Sequence, residues 1–343
     1  MSHKYSFYND YSEGAHPKIL DALGKTNLTQ ETGYGEDSFS LEAAKLLSDK
    51  IQNPNSSIHL VSGGTQANLI VLSSILKPYE AVIAPKTAHI NVHEAGAIEA
   101  TGHKVISVDS TDGKIKPEQV LEQVKFHSDE HYVKPRAVFI SNATELGTVY
   151  TKKELQQLSK ICKENNLYLY LDGARLGSAL MSKGSDLTLP EVSKLVDIFY
   201  IGGTKNGSLI GEAIIINNPK LQENFRYYLK QKGALLAKGR VIGVQFLELF
   251  KDNLFLDLAK HANKMATRLT DGIKALGYEF LTDSPTNQIF PILPNTVIEK
   301  LQNQYGFYVW SEIGKDKSSI RLVTSWATEE KAIEEFIADL KSI

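Results

Sequence analysis

The chain has 343 residues, 42% hydrophobic and 23% charged, a composition ordinary for a soluble globular enzyme or binding protein. A formal net charge of −2 leaves no electrostatic footprint for nucleic acid. Cys162 is the only cysteine, which excludes an internal disulfide and a cysteine-based zinc site. No apolar stretch is long enough to span a membrane, and MSHKYSFYND lacks the apolar run of a signal peptide, so a cytoplasmic protein is expected.

Residues 1–35 are polar and irregular apart from a short amphipathic stretch, Lys18–Leu23, and read as an arm rather than a core element. Glu42–Ile51 carries apolar residues at helical spacing. Strands and helices then alternate. Ile58–Val61 is a short apolar strand, followed by the turn Ser62-Gly63-Gly64-Thr65 and a helix through Leu76. Ala81–Ala84 reads as a strand and His89–Thr101 as a helix. Lys104–Val108 is a strand, and Pro117–Phe126 a helix with proline in its first turn. Ala137–Ser141, Leu167–Leu171 and Asp197–Ile201 are further strands separated by helices. One of these helices, Lys152–Asn165, places Cys162 on its apolar side as a packed thiol.

This order predicts an α/β fold with a mostly parallel sheet and helices on both faces. Ile201 and Ala213 are too close in sequence for a covering helix. Ala213–Ile216 is therefore expected to run antiparallel to its predecessor, joined to it by the Gly-rich loop around Lys205. After Pro219 come helical stretches Leu221–Lys232, Arg240–Phe250 and Asp252–Leu276. Strands at Tyr278–Leu281, Gln288–Ile292, Phe307–Trp310 and Ser319–Thr324 follow, with helices Asn295–Tyr305 and Glu329–Leu340. The expected division is an arm over 1–35, a large domain over 36–250 and a smaller C-terminal α+β domain over 251–343.

Open α/β sheets bind ligands at the carboxyl ends of their strands. At the first strand end, Gly63-Gly64-Thr65 opens a helix whose N–H groups and Thr hydroxyl can hold an anion; a plain tight turn is the bland alternative. This is neither a Walker motif nor a GxGxxG fingerprint. His89 begins the next helical stretch, suited to ring stacking or proton transfer. His93 and Glu94 lie one turn away, but the order is not HExxH and no third ligand is apparent, so no metal is expected. Asp172 ends the Leu167–Leu171 strand, where it can cap a helix or pair with a buried cationic nitrogen. Arg175 can bind a carboxylate bidentately, and Arg321 sits on an apolar strand, either seeking a partner or lying on an exposed edge. Lys205, between two buried strands, can become a Schiff-base nucleophile if burial and nearby positive charge lower its pKa. The glycines beside it would let backbone approach a flat cofactor. A lysine amine, an anion pocket, a carboxylate, a histidine and two arginines together suit pyridoxal 5'-phosphate and an amino-acid substrate.

Six stretches, Tyr34–Asp37, Ser62–Asn68 (SGGTQAN), Ala88-His89 with Glu94, Leu171–Arg175 (LDGAR), Gly203–Gly207 and Ile320–Trp326 (IRLVTSW), occur in an order that resembles the threonine aldolase and β-eliminating lyase family of fold-type-I pyridoxal-phosphate enzymes. The resemblance implies that Lys205 forms the Schiff base with the cofactor and that Asp172 pairs with its pyridine nitrogen. It implies His89 stacked on the ring, Gly64 and Thr65 on the phosphate, and Arg175 and Arg321 on the substrate carboxylate. It also implies sites at dimer interfaces of a homodimer or homotetramer, with Tyr34 on the substrate side and Lys230 on the cofactor side reaching a neighbour's site.

The chain departs from the family at several points. The family's N-terminal Ser-Asp appears as Asn9-Asp10, which alters a substrate-side contact at Asn9. Its Glu-Asn-Thr-His run appears as Asn142–Leu146 (NATEL), its phosphate-side arginine falls near Ala237-Lys238, and the lysine loop reads GGTKNG. The reaction expected is cleavage of a β-hydroxy-α-amino acid to glycine and an aldehyde, with His89 as candidate base and His127 or His131 as lesser ones. β-Elimination, transamination and racemisation remain open, as does a non-catalytic nucleotide-binding protein using Gly63–Thr65.

Overall fold

The computed structural model describes residues 3–343. Seven strands, β2 (Ser57–Val61), β3 (Glu80–Pro85), β4 (Val105–Val108), β5 (Lys134–Ser141), β6 (Tyr168–Asp172), β7 (Ile198–Gly202) and β8 (Glu212–Ile216), form one sheet; β1 is the N-terminal pair Tyr5–Ser6. The sheet order is β2-β8-β7-β6-β5-β3-β4, and β8 alone runs against the rest. The antiparallel β7–β8 pair agrees with the short link between them, and it sets the Lys205 loop at the carboxyl end of β7. Side chains alternate between faces along each strand. Ile83, Val138, Ile140, Leu171, Phe199, Ile201 and Ile215 join one apolar cluster, while Val82, Ala137, Phe139, Tyr170, Ile198, Tyr200 and Ile214 join the other. Both faces are thus buried under helices, as a parallel sheet requires.

A third apolar cluster lies beyond, built on β9 (Gln288–Ile289), β10 (Ile292–Pro294), β11 (Tyr305–Gly306), β12 (Tyr308–Glu312) and β13 (Lys317–Val323). The helix Leu254–Ala275 belongs to two clusters: Leu254, Phe255 and Leu258 pack under the large sheet, and Met265, Leu269 and Ile273 in the third cluster. The polar N-terminal stretch is not wholly outside the core. β1 pairs in parallel with β11, and Phe7 is fully buried between Tyr305 and Phe336.

Several expected elements are shorter or broken. The helix expected over His89–Thr101 is α-helical only at His89–Val92, with a 3-10 turn at Glu99–Thr101, because the chain turns through left-handed Ala95 (φ 50°) and Gly96 (φ 72°). Leu221–Lys232 reduces to a helix over Phe225–Gln231, entered through Asn224 at φ 58°. Tyr278–Leu281 contributes a single bridge, Phe280 to Pro291. Pro291 also splits the strand expected over Gln288–Ile292, since it has no N–H for the ladder. Cys162 is packed, 1% exposed, and burial pushes its thiol up. Among the described residues no helix is long and apolar enough to cross a membrane.

Candidate active site

The carboxyl ends of β2, β5, β6 and β7 open on a cavity of about 300 Å³. Its lining includes Gly64, Thr65, His89, Asp172, Arg175 and Lys205, so the chain brings together six candidates drawn from positions 64 to 205. Arg321, Asn9, Tyr34 and Lys230 are not among the lining residues.

The floor is a hydrogen-bonded network. Asp172, the last residue of β6, is 5% exposed. Its Oδ1 accepts from the Tyr200 hydroxyl (2.6 Å) and the Ala174 N–H (2.9 Å), and its Oδ2 from Asn68 Nδ2 (3.2 Å). Asn68 also donates to Glu94 Oε1 (2.7 Å) and accepts from the Tyr170 hydroxyl (2.8 Å). Glu94 Oε1 lies 2.7 Å from His89 Nδ1, which fixes the imidazole over this floor. These bonds hold the Asp172 carboxylate in place at low dielectric, while Glu94 Oε2 stays buried without a partner. Glycine is needed where these strand ends crowd: a Cβ on Gly173 would lie 1.9 Å from the Tyr200 carbonyl oxygen.

The anion site is the start of the helix Gly64–Ile75. Its N-cap is Gly63, which offers no side chain, so the first-turn N–H groups face the cavity without a protein cap. The Thr65 hydroxyl is exposed there. Lys205 sits on a loop tied at its neck, where Gly203 and Thr204 both donate to the Gly211 carbonyl (2.9 and 3.1 Å). Asn206 anchors the far side through Nδ2 to the Phe255 carbonyl (2.7 Å). The loop glycines are needed for this packing. Gly207 is at φ +95° with Leu258 against it, and a Cβ on Gly203 would meet the Gly211 oxygen at 2.8 Å. Lys205 Nζ makes no hydrogen bond or ion pair among the described residues, and the Tyr11 ring centre lies 5.9 Å away. Burial, with the Arg175 charge beside it, lowers the Lys205 pKa against the opposing pull of Asp10, Asp172 and Glu212. A less protonated amine, an uncapped helix start and an anchored carboxylate on one cavity fit the demands of pyridoxal phosphate.

The wall opposite is less as expected. Arg175 is not free: Nε and Nη2 bind Asp10 at 2.7 and 3.0 Å, and Asn287 donates to the same carboxylate (2.9 Å). Burial would raise Asp10, but Arg175 and Lys205 hold it below its ordinary value. Arg321 lies behind this cluster, stacked over Tyr308 and Trp310 at 5.2 and 5.0 Å, with Nε buried and unpartnered. Burial and Arg175 lower its pKa. Asn9 spends its side-chain oxygen on the Tyr11 N–H and Ser12 hydroxyl (both 3.0 Å), and Tyr11 is the residue of this stretch that reaches the cavity.

Tyr34 and Lys230 pair with each other instead, Nζ 4.5 Å from the ring centre. Tyr34 lines a separate groove of about 290 Å³, and Lys238 is exposed outside both cavities. His127 and His131 precede β5 and so lie at the opposite end of the sheet from the cavity. Sequence reasoning passed over three acidic side chains, Asp10, Glu145 and Glu212. Glu212, at the first position of β8, accepts from the Gly203 N–H (3.0 Å), and burial raises it to about 8. A carboxylate opening an otherwise apolar strand, EAIII, was the available signal for it.

A family model described as beta-eliminating lyase matches residues 13–295. A low specificity L-threonine aldolase from Pseudomonas sp. (strain NCIMB 10558) is 34% identical over 98% of this chain and 97% of its own. The enzyme of that name from Pseudomonas aeruginosa is 31% identical over 99% and 98%. The solved structure of Leishmania major threonine aldolase is 50% identical, with a TM-score of 0.97 over 98% of this chain and 99% of that one. A Thermus thermophilus aspartate aminotransferase, 16% identical, shares the fold at a TM-score of 0.74, covering 99% and 91%.

Proposed function

The chain belongs to the β-eliminating lyase family, and from that premise we propose that it is a pyridoxal-phosphate-dependent carbon–carbon lyase of threonine aldolase type. Its substrate is a β-hydroxy-α-amino acid, such as threonine or allo-threonine, and its products are glycine and an aldehyde. The observation that carries this reading is the convergence of Lys205, Asp172, His89 and the Gly64-Thr65 helix start on one cavity.

When bound, pyridoxal phosphate supplies an electron sink for the pair released at Cα. The first-turn N–H groups at Gly64 and Thr65 would hold its phosphate, and Asp172 its ring nitrogen. His89, fixed by Glu94, would offer its ring face, and Lys205 the amine that links covalently to the cofactor. Lys205 is also placed to move a proton at Cα, since burial and Arg175 lower its pKa and so favour the unprotonated amine. Arg321 and the remaining donors of Arg175 would take the substrate carboxylate, with Asp10 holding Arg175 in position. Asn9 holds Tyr11 rather than the substrate in this reading.

The assembly we propose is a homodimer or homotetramer with active sites at the interface. Tyr34 and Lys230 support it, since both lie outside their own chain's cavity, Tyr34 lining a separate groove with Lys230 over its ring. For the domains we propose an arm over 1–35, a large domain over 36–250 and a small one over 251–343; the separate third apolar cluster supports the last boundary. The compartment we propose is the cytoplasm, in keeping with one buried cysteine.

The test is a paired assay with the cofactor-loaded protein. Threonine or allo-threonine should give glycine and acetaldehyde, while serine should give little pyruvate and ammonia. Pyruvate as the dominant product would move the assignment to β-elimination.

A further inference from the structure

One half-buried acid on the cavity has no role in the chemistry proposed for this site. Glu145 follows β5 and lines the cavity with Asp172, His89 and Lys205. One of its oxygens, Oε1, is fixed from two sides, by the Ser141 hydroxyl (2.7 Å) and by the His89 N–H (3.0 Å). No cation pairs with it among the described residues, and Oε2 accepts no hydrogen bond from another side chain there. A carboxylate held by one oxygen, with the other left to the cavity, is arranged as a proton acceptor rather than as a structural tie. His89 is arranged differently. Its Nδ1 is committed to Glu94, whose Oε1 also takes Asn68, so the imidazole belongs to the floor network.

We propose that Glu145, rather than His89, accepts the β-hydroxyl proton in carbon–carbon cleavage; this rests on the aldolase reading above. The O–H bond breaks and its proton passes to the Glu145 carboxylate. The oxygen's pair forms the aldehyde C=O as the Cα–Cβ bond breaks, and that bond's pair leaves with Cα. One proton returned to Cα completes glycine and Glu145 releases its proton to solvent, so no co-reactant is needed. Burial is the main cause that raises the Glu145 pKa, with the nearby Asp172 charge adding to it, and a raised pKa makes the ionised form the stronger base. Neither the histidines at 127 and 131 nor any other acid follows a cavity-forming strand end in this way.

The experiment separates cleavage from a partial reaction that involves no hydroxyl. Glu145→Gln keeps an acceptor for Ser141 and His89 but cannot take a proton. With the variant loaded with pyridoxal phosphate, threonine cleavage should fall by about 10²–10⁴-fold. Exchange of the glycine α-hydrogen in deuterated water should stay within about threefold of wild type, the bound-cofactor spectrum being unchanged. Glu145→Asp is an independent check. It should cleave at least tenfold faster than the Gln variant, because a carboxylate is retained. Cleavage by Glu145→Gln within threefold of wild type, or cleavage and exchange falling together in both variants, would overturn the proposal. A wild-type protein that neither cleaves threonine nor exchanges glycine would refute the aldolase reading itself, a result distinct from either of these.

Discussion

Two concavities of the molecule have nearly equal volumes, about 300 and 290 Å³, and their linings differ in how many ionisable side chains they gather. The first is walled by Lys205, Asp172, Glu145, Glu212, Arg175 and His89. The second is walled by Leu41, Ile58, Leu60, Leu229, Leu236 and Ile242, together with His59 and the Arg226–Glu36 ion pair. In the first, burial keeps charged groups close enough to shift one another. In the second, burial holds the one histidine, His59, down at about 4. Size therefore does not mark the reacting centre; a cluster of mutually perturbed ionisable groups does. Leu41, 59% exposed, lies on this second groove.

Substitutions in each concavity can break or sharpen this contrast. The largest effect is expected from Lys205→Ala, which should abolish turnover and the visible absorption of bound cofactor; activity left intact would end the assignment. Asp172→Asn keeps an acceptor oxygen for Tyr200 and Ala174, but its amide nitrogen cannot accept from Asn68, and the charge is lost. It should lower kcat by about 10²–10⁴-fold. Arg175→Lys cannot reproduce the two-pronged bond to Asp10, so KM should rise by roughly 10–100-fold, more than kcat falls. Steady-state kinetics on the three variants tests the order.

The groove should respond in assembly and stability instead. Leu41→Asp should weaken self-association at least roughly tenfold, read by sedimentation, because a charge is stranded on an apolar contact. His59 supplies the smallest effect and a defined pH window. Its folded-state pKa lies near 4, below the ordinary 6.5, owing to burial and then Arg226. Between those values the unfolded chain binds more protons, so stability rises with pH and is lost as pH falls from 6.5 through 4. The full loss is about 3 kcal/mol. His59→Phe should flatten the acid side of the denaturation curve; an unchanged slope over that window would mean that His59 is not held neutral.

Legibility in the sequence followed the range of the forces involved. Alternating apolar strands and helical faces are local patterns, so the parallel sheet could be read off directly, and so could the reversal at β8. His89–Thr101 could not, because its apolar spacing masks the turn that Ala95 and Gly96 make. Residues at strand ends inherit their position from the sheet, which is why Lys205, Asp172 and Gly64 could be placed on one edge. Asp10 and Arg175 meet across 165 positions of chain, and no local pattern records that bond. Glu145 was visible only as a departure in the NATEL run. What made it notable, the grip of Ser141 and His89 on one oxygen, exists only in three dimensions.

The central claim is that the Lys205 amine binds the cofactor in this cavity. Reductive trapping tests it most directly: load the protein with pyridoxal phosphate, reduce with borohydride, digest, and find the modified peptide by mass spectrometry. One stable adduct is expected, on Lys205, and Lys205→Ala should prevent it. An adduct on another lysine, or none on a protein that cleaves threonine, would contradict it.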